Sequence, residues 1–224
     1  QRTGGGAVVP GGGDEALTLQ GCDLRHHNGE HAAPLLGFAI VRISYGMPDG
    51  RTLPDLAAEG HFARLTSDGK PRVLAGYHYL ATGPNGATGE DQAAYFLARL
   101  GTLETRFGLL GRACDSEPLR DRDAAGQRIP WDPPERVRDR VLGFAMGVSA
   151  ARPCLAYGSR EWWARLQLPW WFAMHCPFWA ASAPPPPAPW PSAAIQQLPA
   201  PVGGVDRNVF EGTAAELRAL LGLP

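Results

Sequence analysis

Two carboxylates separated by one residue mark the first place in this chain where chemistry could occur. Asp115 and Glu117 follow a predicted strand within residues 111–119. Because side chains at positions i and i+2 of a strand share a face, the two carboxyl groups are expected to lie side by side. Like charges held that close raise a carboxyl pKa, which suits a group that acts as an acid near neutral pH. The pair therefore indicates acid catalysis, although Asp-x-Glu also occurs at solvated strand ends and in turns.

The composition is that of a folded protein with a substantial core. The chain has 224 residues, of which 44% are hydrophobic and 19% are charged, which is enough for one large domain. Its formal net charge of −1 implies no general electrostatic attraction to nucleic acid. No stretch approaches the roughly 20 apolar residues of a membrane span. We therefore expect neither nucleic-acid binding nor a membrane span.

The amino-terminal segment differs in composition from the rest. Residues 1–15 are rich in glycine and predict a flexible tail, which leaves residues 16–224 as a single domain. The start lacks both an initiator Met and the apolar core of a signal peptide. This composition is compatible with a removed leader or with excision from a larger multidomain protein.

The cysteines and histidines do not show metal-binding spacing. Four cysteines lack any CxxC pair, and the histidines match no HExxH or comparable signature. Buried thiols are favoured over disulfides, because three of the cysteines lie in or beside predicted strands. We expect no metal and no cofactor.

Apolar runs separated by turn residues predict strands that alternate with helices. The first three predicted strands cover residues 17–24, 38–45 and 73–80. A fourth strand leads to Asp115 and Glu117. The remaining predicted strands cover residues 154–157, 171–175, 195–198 and 205–210. The predicted helices begin near Asp55, Glu90, Asp132, Ser159 and Thr213. Asp132 is expected to cap its helix and Gly101 to end the helix that starts at Glu90. Residues 46–54 and 184–191 are predicted to be loops.

This alternation is typical of a parallel β/α barrel, in which strand carboxyl ends meet at one rim. Four carboxylates would converge there: Asp23, Asp115, Glu117 and Asp206. Tyr77 and Tyr79 share one face of their strand. Arg42 interrupts an apolar run and needs a carboxylate partner, so it either points into the site or pairs beneath it.

Seven segments, in order, resemble the glycoside hydrolase family 25 lysozymes. The resembling segments are residues 21–29, 38–46, 76–79, 115–117, 155–159 with Trp163, 171–173 and 205–210. The resemblance implies an irregular β/α barrel whose last strands lack regular helices. It also implies hydrolysis of the β-1,4 bond between N-acetylmuramic acid and N-acetylglucosamine in peptidoglycan, so that the protein acts on the cell wall, as an expected monomer.

The resemblance also suggests roles for individual residues. Glu117 stands where the family has its general acid, and the hypothesis is that Asp115 and partial burial raise its pKa. Asp115 is the paired carboxylate, while Asp23 and Asp206 complete an acidic floor. The candidate substrate-binding residues are Tyr77, Tyr79, Arg42, Trp171, His175 and Gln196.

Three departures from the family pattern bear on the substrate. Ile195 precedes Gln196 where the family has Trp-Gln, His175 replaces a Tyr after the sixth strand, and Arg25 adds a cation near the acidic floor. These departures leave open a peptidoglycan-binding barrel with weak or lost turnover. A metal-dependent cell-wall peptidase or amidase is a second alternative.

Overall fold

The computed structural model describes residues 18–25, 28, 37–118, 132–181, 185–199 and 205–224. The predicted tail, residues 1–15, lies outside this part of the chain. The strands are β1 (Thr18–Leu24), β2 (Phe38–Gly46), β3 (Thr52–Pro54), β4 (Val73–Tyr79), β5 (Gly111–Asp115), β6 (Cys154–Gly158), β7 (Phe178–Ala180), β8 (Ile195–Gln197) and β9 (Asp206–Glu211). The helices are α1 (Ala58–Thr66), α2 (Gly89–Phe107), α3 (Pro134–Ser149), α4 (Arg160–Leu166), α5 (Phe172–His175) and α6 (Ala214–Leu220).

Eight of the strands close into a barrel. β1 pairs with β2 on one side and with β9 on the other, and only β3 stands outside the ring as an antiparallel addition to β2. Within the ring, β1, β2 and β4 to β8 run parallel to one another, whereas β9 runs antiparallel to both of its neighbours. The described residues between β7 and β9 contain no helix. The predicted irregular β/α barrel is therefore confirmed.

The alternation of side chains divides the core into two layers. Phe38, Ile40, Leu155 and Trp179 fill the barrel interior, and Leu217 of α6 joins them. A second cluster packs between the outer face of the strands and the surrounding helices, and it includes the predicted apolar stripe of α3: Val137, Val141, Phe144, Ala145 and Val148. α6 begins with the predicted capping box at Thr213. Leu221 then packs under Gly111, so this helix closes the barrel at the amino ends of the strands.

The predicted sixth strand, residues 171–175, is wrong. That segment forms α5, and the barrel strand is the later β7. Phe172 and Cys176 are buried and joined by a 2.9 Å hydrogen bond from the Cys176 amide to the Phe172 carbonyl, while Trp170 and Met174 are 72% and 62% exposed. Burial four residues apart is the period of a helix, which a run of large apolar residues conceals.

Three smaller predictions also need correction. β3 lies within the predicted loop of residues 46–54. α2 continues through Gly101 to Phe107 and ends at Gly108, whose φ of 82° is the conformation that favours glycine. Asp132 does not cap α3, because its buried carboxylate pairs with Arg140 at 2.9 Å.

Two further properties of the described residues concern the cysteines and the helices. All four cysteines are buried and free. No helix in this part of the chain has the length and apolar character needed to cross a membrane.

Candidate active site

The structure brings the four predicted carboxylates together at one rim of the barrel. Asp23 ends the interior face of β1, and Asp115 ends that of β5. Asp206 pairs with Asp23 across the antiparallel β1–β9 ladder. The charges of Glu117 and Asp23 both act on Asp115, and that of Asp206 acts on Asp23. The result is an acidic cluster at the carboxyl ends of the parallel strands.

Glu117 is held by the loop that follows β5. The strand ends at Asp115, so strand alternation does not position Glu117, contrary to the sequence argument. The Thr82 hydroxyl instead donates to the Glu117 carbonyl at 3.1 Å. Between the two carboxylates, the Ser116 amide donates to the Tyr157 carbonyl at 3.2 Å, and the Trp162 indole donates to the Ser116 hydroxyl at 3.1 Å. Contacts with neighbouring loops therefore set the geometry of the pair.

The pKa of Asp115 is raised, whereas the raised pKa that the sequence predicts for Glu117 stays a prediction. Burial raises the pKa of Asp115 well above its usual range, and the neighbouring charges of Glu117 and Asp23 raise it further. Its Oδ1 atom is buried and has no hydrogen-bond partner among the described residues. Asp115 is 7% exposed, whereas Glu117 is only partly buried. The buried member of the pair therefore favours the protonated state.

Asp23 is held by two amide side chains. Asn208 and Gln197 both donate to its Oδ1 atom, at 2.8 and 3.4 Å. The Tyr157 hydroxyl donates to Gln197 Oε1 at 2.8 Å, and the Trp179 indole donates to Asn208 Oδ1 at 2.8 Å. One carboxyl oxygen is thus fixed by a network that spans five strands, β1, β6, β7, β8 and β9.

The environment of Asp23 raises its pKa to about 7. Burial is the largest cause, and the nearby charge of Asp206 adds to it. The hydrogen bonds from Asn208 and Gln197 and the positive charge of Arg25 act in the opposite direction. The cation that the sequence placed near the acidic floor therefore favours the ionised form of Asp23.

The two glutamines of β8 lie on opposite faces, and the structure brings Gln197, not the candidate Gln196, to the acidic cluster. Ile195 faces the barrel interior, so Gln197 shares its face and reaches the site, while Gln196 lines a surface depression with residues such as Pro186 and Glu211. Asn208, Tyr157 and Trp179 were also not among the sequence candidates. Strand alternation carries the missing signal, because Asn208 lies two residues after Asp206 and Gln197 two after Ile195.

Tyr77, Tyr79 and Arg42 lie on the interior face of the barrel. Tyr77 is buried, with its ring edge-on to Trp179 at 6.3 Å, and Tyr79 sits nearer the rim, partly buried. Arg42 forms a buried ion pair with Asp55, with 2.8 Å between Nε and Oδ2. Its charge also lowers the pKa of Asp115. Arg42 therefore has the carboxylate partner that the sequence required, and it lies on the face of the barrel that carries the acidic cluster.

Trp171 and His175 lie at the other end of the barrel. They line a depression of about 490 Å³ together with Met146 and Arg152. The depression includes Pro153, the residue before the amino end of β6, whereas the carboxylates occupy strand carboxyl ends. The structure does not bring these two candidates to the acidic cluster.

His78 occupies the outer face of β4, opposite the tyrosines. Its Nε2 donates to Gln92 Oε1 at 3.0 Å, since that oxygen also accepts from the Ala81 amide, and its Nδ1 accepts from the Ser44 hydroxyl at 2.9 Å. Burial lowers the pKa of His78 to about 4, so the ring is neutral at pH 7. Within the described ranges, no group of three or more His, Cys, Asp or Glu side chains is arranged so that it could hold a metal ion.

A β/α barrel with clustered carboxylates at its strand carboxyl ends is an architecture typical of barrel enzymes. No protein-family model matches the chain, and no curated protein matches its sequence. Solved structures do match. A family GH25 lysozyme from Aspergillus fumigatus has a TM-score of 0.71 and 23% identity, over 92% of this chain and 99% of that one.

Two further structures have the same architecture. A muramidase from Acremonium alcalophilum has a TM-score of 0.65 and 20% identity, over 91% of this chain and 98% of that one. The spore cortex lytic enzyme SleM from Clostridium perfringens has a TM-score of 0.68 and 16% identity, over 89% and 69%. The chain therefore has the fold of the glycoside hydrolase family 25 lysozymes.

Proposed function

We propose that this protein is a family 25 lysozyme that hydrolyses the β-1,4 bond between N-acetylmuramic acid and N-acetylglucosamine in peptidoglycan. The observation that carries the proposal is the buried Asp115 beside the more accessible Glu117, at the carboxyl end of β5 in a family 25 fold. Glycoside hydrolysis needs a proton donor for the leaving oxygen and a second carboxyl group near the reacting sugar. This pair, with Asp23 and Asp206 beside it, supplies both.

The environment of each carboxyl group suggests its role. Glu117 is the more accessible member of the pair, so in its protonated form it donates a proton to the glycosidic oxygen and later regains one from the water that completes hydrolysis. Asp115 favours the protonated state before substrate binds, so it donates a hydrogen bond that orients the substrate's N-acetyl group. It stabilises the cationic centre by charge only after it loses that proton. Asp23, held through one oxygen, positions the sugar or a water with the other, and Asp206 adds to the acidic floor.

The same proposal includes the partner of the protein, its place of action and its domain organisation. Its partner is the glycan strand of peptidoglycan, it acts on the cell wall, and residues 16–224 form a single monomeric catalytic domain. The hydrophobic residues inside the barrel and the helix-covered outer face support one cooperative unit.

Replacement of Glu117 by Gln tests the proposed chemistry. The Glu117→Gln variant should no longer reduce the turbidity of a suspension of purified peptidoglycan. The matched surface variant Glu211→Gln should still reduce it. Mass spectrometry of products from the unmodified protein should show muropeptides with reducing N-acetylmuramic acid ends. Undiminished lysis by Glu117→Gln would exclude the assigned acid.

The product analysis also separates the alternatives. Retention of glycan strands without any release would identify a peptidoglycan-binding barrel. Products without new reducing ends, together with inhibition by EDTA, would identify a metal-dependent peptidase or amidase.

A further inference from the structure

A second depression lies at the same rim as the carboxylates. It is formed at the β2–β3 hairpin, has a volume of about 320 Å³, and is lined by Tyr45, Leu53, Pro54, Asp55 and Leu56. We refer to these five residues as the hairpin pocket. Its lining is mainly apolar, although it borders a polar cleft.

The strand register places the hairpin pocket in line with the acidic pair. Tyr45 of β2 is level with Tyr79 of β4, which is level with Asp115 of β5. Adjacent strands are about 4.8 Å apart, so the backbone positions of Tyr45 and Asp115 are separated by about 10 Å along the rim. That separation is on the scale of one or two sugar units.

Arg42 links the hairpin pocket to the site, by contact on one side and by charge on the other. The Arg42 guanidinium lies 5.1 Å from the centre of the Tyr45 ring and pairs with Asp55 in the pocket wall. The same guanidinium lowers the pKa of Asp115 through its charge. Arg42 therefore interacts with the wall of the hairpin pocket and acts through its charge on the acidic pair.

The exposure of its apolar residues is not explained by packing. Leu56 is 85% exposed, the highest value among the large hydrophobic side chains in the described part of the chain. A tyrosine ring and aliphatic side chains bind the C–H face of a sugar and the methyl of an N-acetyl group. None of the five lining residues is cationic, and the charge of Asp55 is paired with that of Arg42, so the lining offers no positive partner to the carboxylates of a peptide stem.

We propose that the hairpin pocket is a subsite for an N-acetylated sugar of the same glycan strand, one or two units from the cleaved bond. Tyr45 stacks on the sugar ring, and Leu53 and Leu56 contact the methyl group. This inference rests on the proposed function, since it assigns a further sugar of the same substrate.

Binding without cleavage tests the subsite independently of catalysis. In a Glu117→Gln background, calorimetry is performed with peptide-free glycan fragments of increasing length. Tyr45→Ala should weaken binding of long fragments about fivefold, and Leu56→Ser about threefold, with no effect on fragments too short to reach the pocket. Leu109→Ser is the matched control, because Leu109 is 54% exposed just before the amino end of β5.

The outcomes separate the two proposals. Unchanged binding by both pocket variants would overturn the subsite while leaving the proposed hydrolysis intact. A loss seen only with peptide-bearing strands would overturn it as well, and would assign the pocket to the stem peptide. Length-dependent loss of binding supports the subsite even if the unmodified protein releases no products. Because Leu56 is exposed, its variant remains informative if Tyr45→Ala proves unstable.

Discussion

The side-chain amide of Asn208 donates to Oδ1 of Asp23 at 2.8 Å, across 185 positions of sequence. The bond joins β9 to β1 where the barrel closes. Since Gln197 donates to the same oxygen, the carboxyl group is held from two strands through one atom, and its orientation depends on barrel closure. The candidate site and the closure of the fold therefore depend on the same contacts.

Two adjacent glutamines test the network around Asp23. Gln197→Leu removes a donor to Asp23 and the acceptor of the Tyr157 hydroxyl, so we expect kcat/KM on peptidoglycan to fall by about 10- to 100-fold. The pKa of Asp23 should rise further, and the pH profile of kcat/KM should shift toward higher pH. Gln196→Leu, on the opposite face, is the matched control. Equal effects of the two variants would contradict the network.

Asp23→Asn should stabilise the protein while reducing its activity. The folded-state pKa of about 7 exceeds the ordinary value of 3.8, so Asp23 costs stability progressively as pH rises from about 4 to 7. The displacement corresponds to at most about 4 kcal/mol, and solvent access at the rim reduces this to about 2 kcal/mol. Urea unfolding at pH 8 should show the variant to be more stable, with the gap narrowing toward pH 4. The exposed Asp49→Asn variant should show no such pH-dependent gain.

His78 should make the protein less stable in acid. Its folded-state pKa of about 4 lies below the ordinary 6.5, so the unfolded chain gains a proton first as pH falls between these values. The loss amounts to about 3 kcal/mol across that window, and it is complete below pH 4. His78→Gln should remove this component when urea midpoints are compared from pH 7 to pH 4. His175→Gln, an exposed control, should retain it; identical slopes for both variants would refute the assignment.

Two glycines of α2 should respond in opposite directions to alanine. A Cβ at Gly89 would lie 2.0 Å from the Arg140 carbonyl of α3, whereas nothing lies within 4 Å of one at Gly101. Gly89→Ala should therefore lower the free energy of unfolding by about 2 kcal/mol or more, because the helices must separate. Gly101→Ala should raise it by about 0.5–1 kcal/mol, since alanine is the better helix former. Thermal or urea unfolding measures both, and similar changes would contradict the close approach of the helices.

Local patterns in the sequence were sufficient for much of the fold. The apolar run of β2, the stripe of α3 and the capping box of α6 each predicted an element correctly, because their signals lie within a few residues. Residues 171–175 were predicted incorrectly because an apolar tetrapeptide does not distinguish the period of a strand from that of a helix. This error also brought Trp171 and His175 into the list of site candidates.

The sequence by itself determined the carboxylates and their order along the chain: Asp23, Asp115, Glu117 and Asp206. Tertiary structure decided how deeply each carboxyl group is buried and which charges and hydrogen-bond donors surround it. Burial depends on what packs around a side chain, so only the closed barrel raises the pKa of Asp115. The choice of Gln197 over Gln196 likewise required the register of β8, since a shift of one residue reverses the face of every side chain. The sequence specifies which side chains carry charge. The low-dielectric surroundings and the long-range hydrogen bonds that shift the pKa values of these side chains form only when the strands pair in the folded barrel.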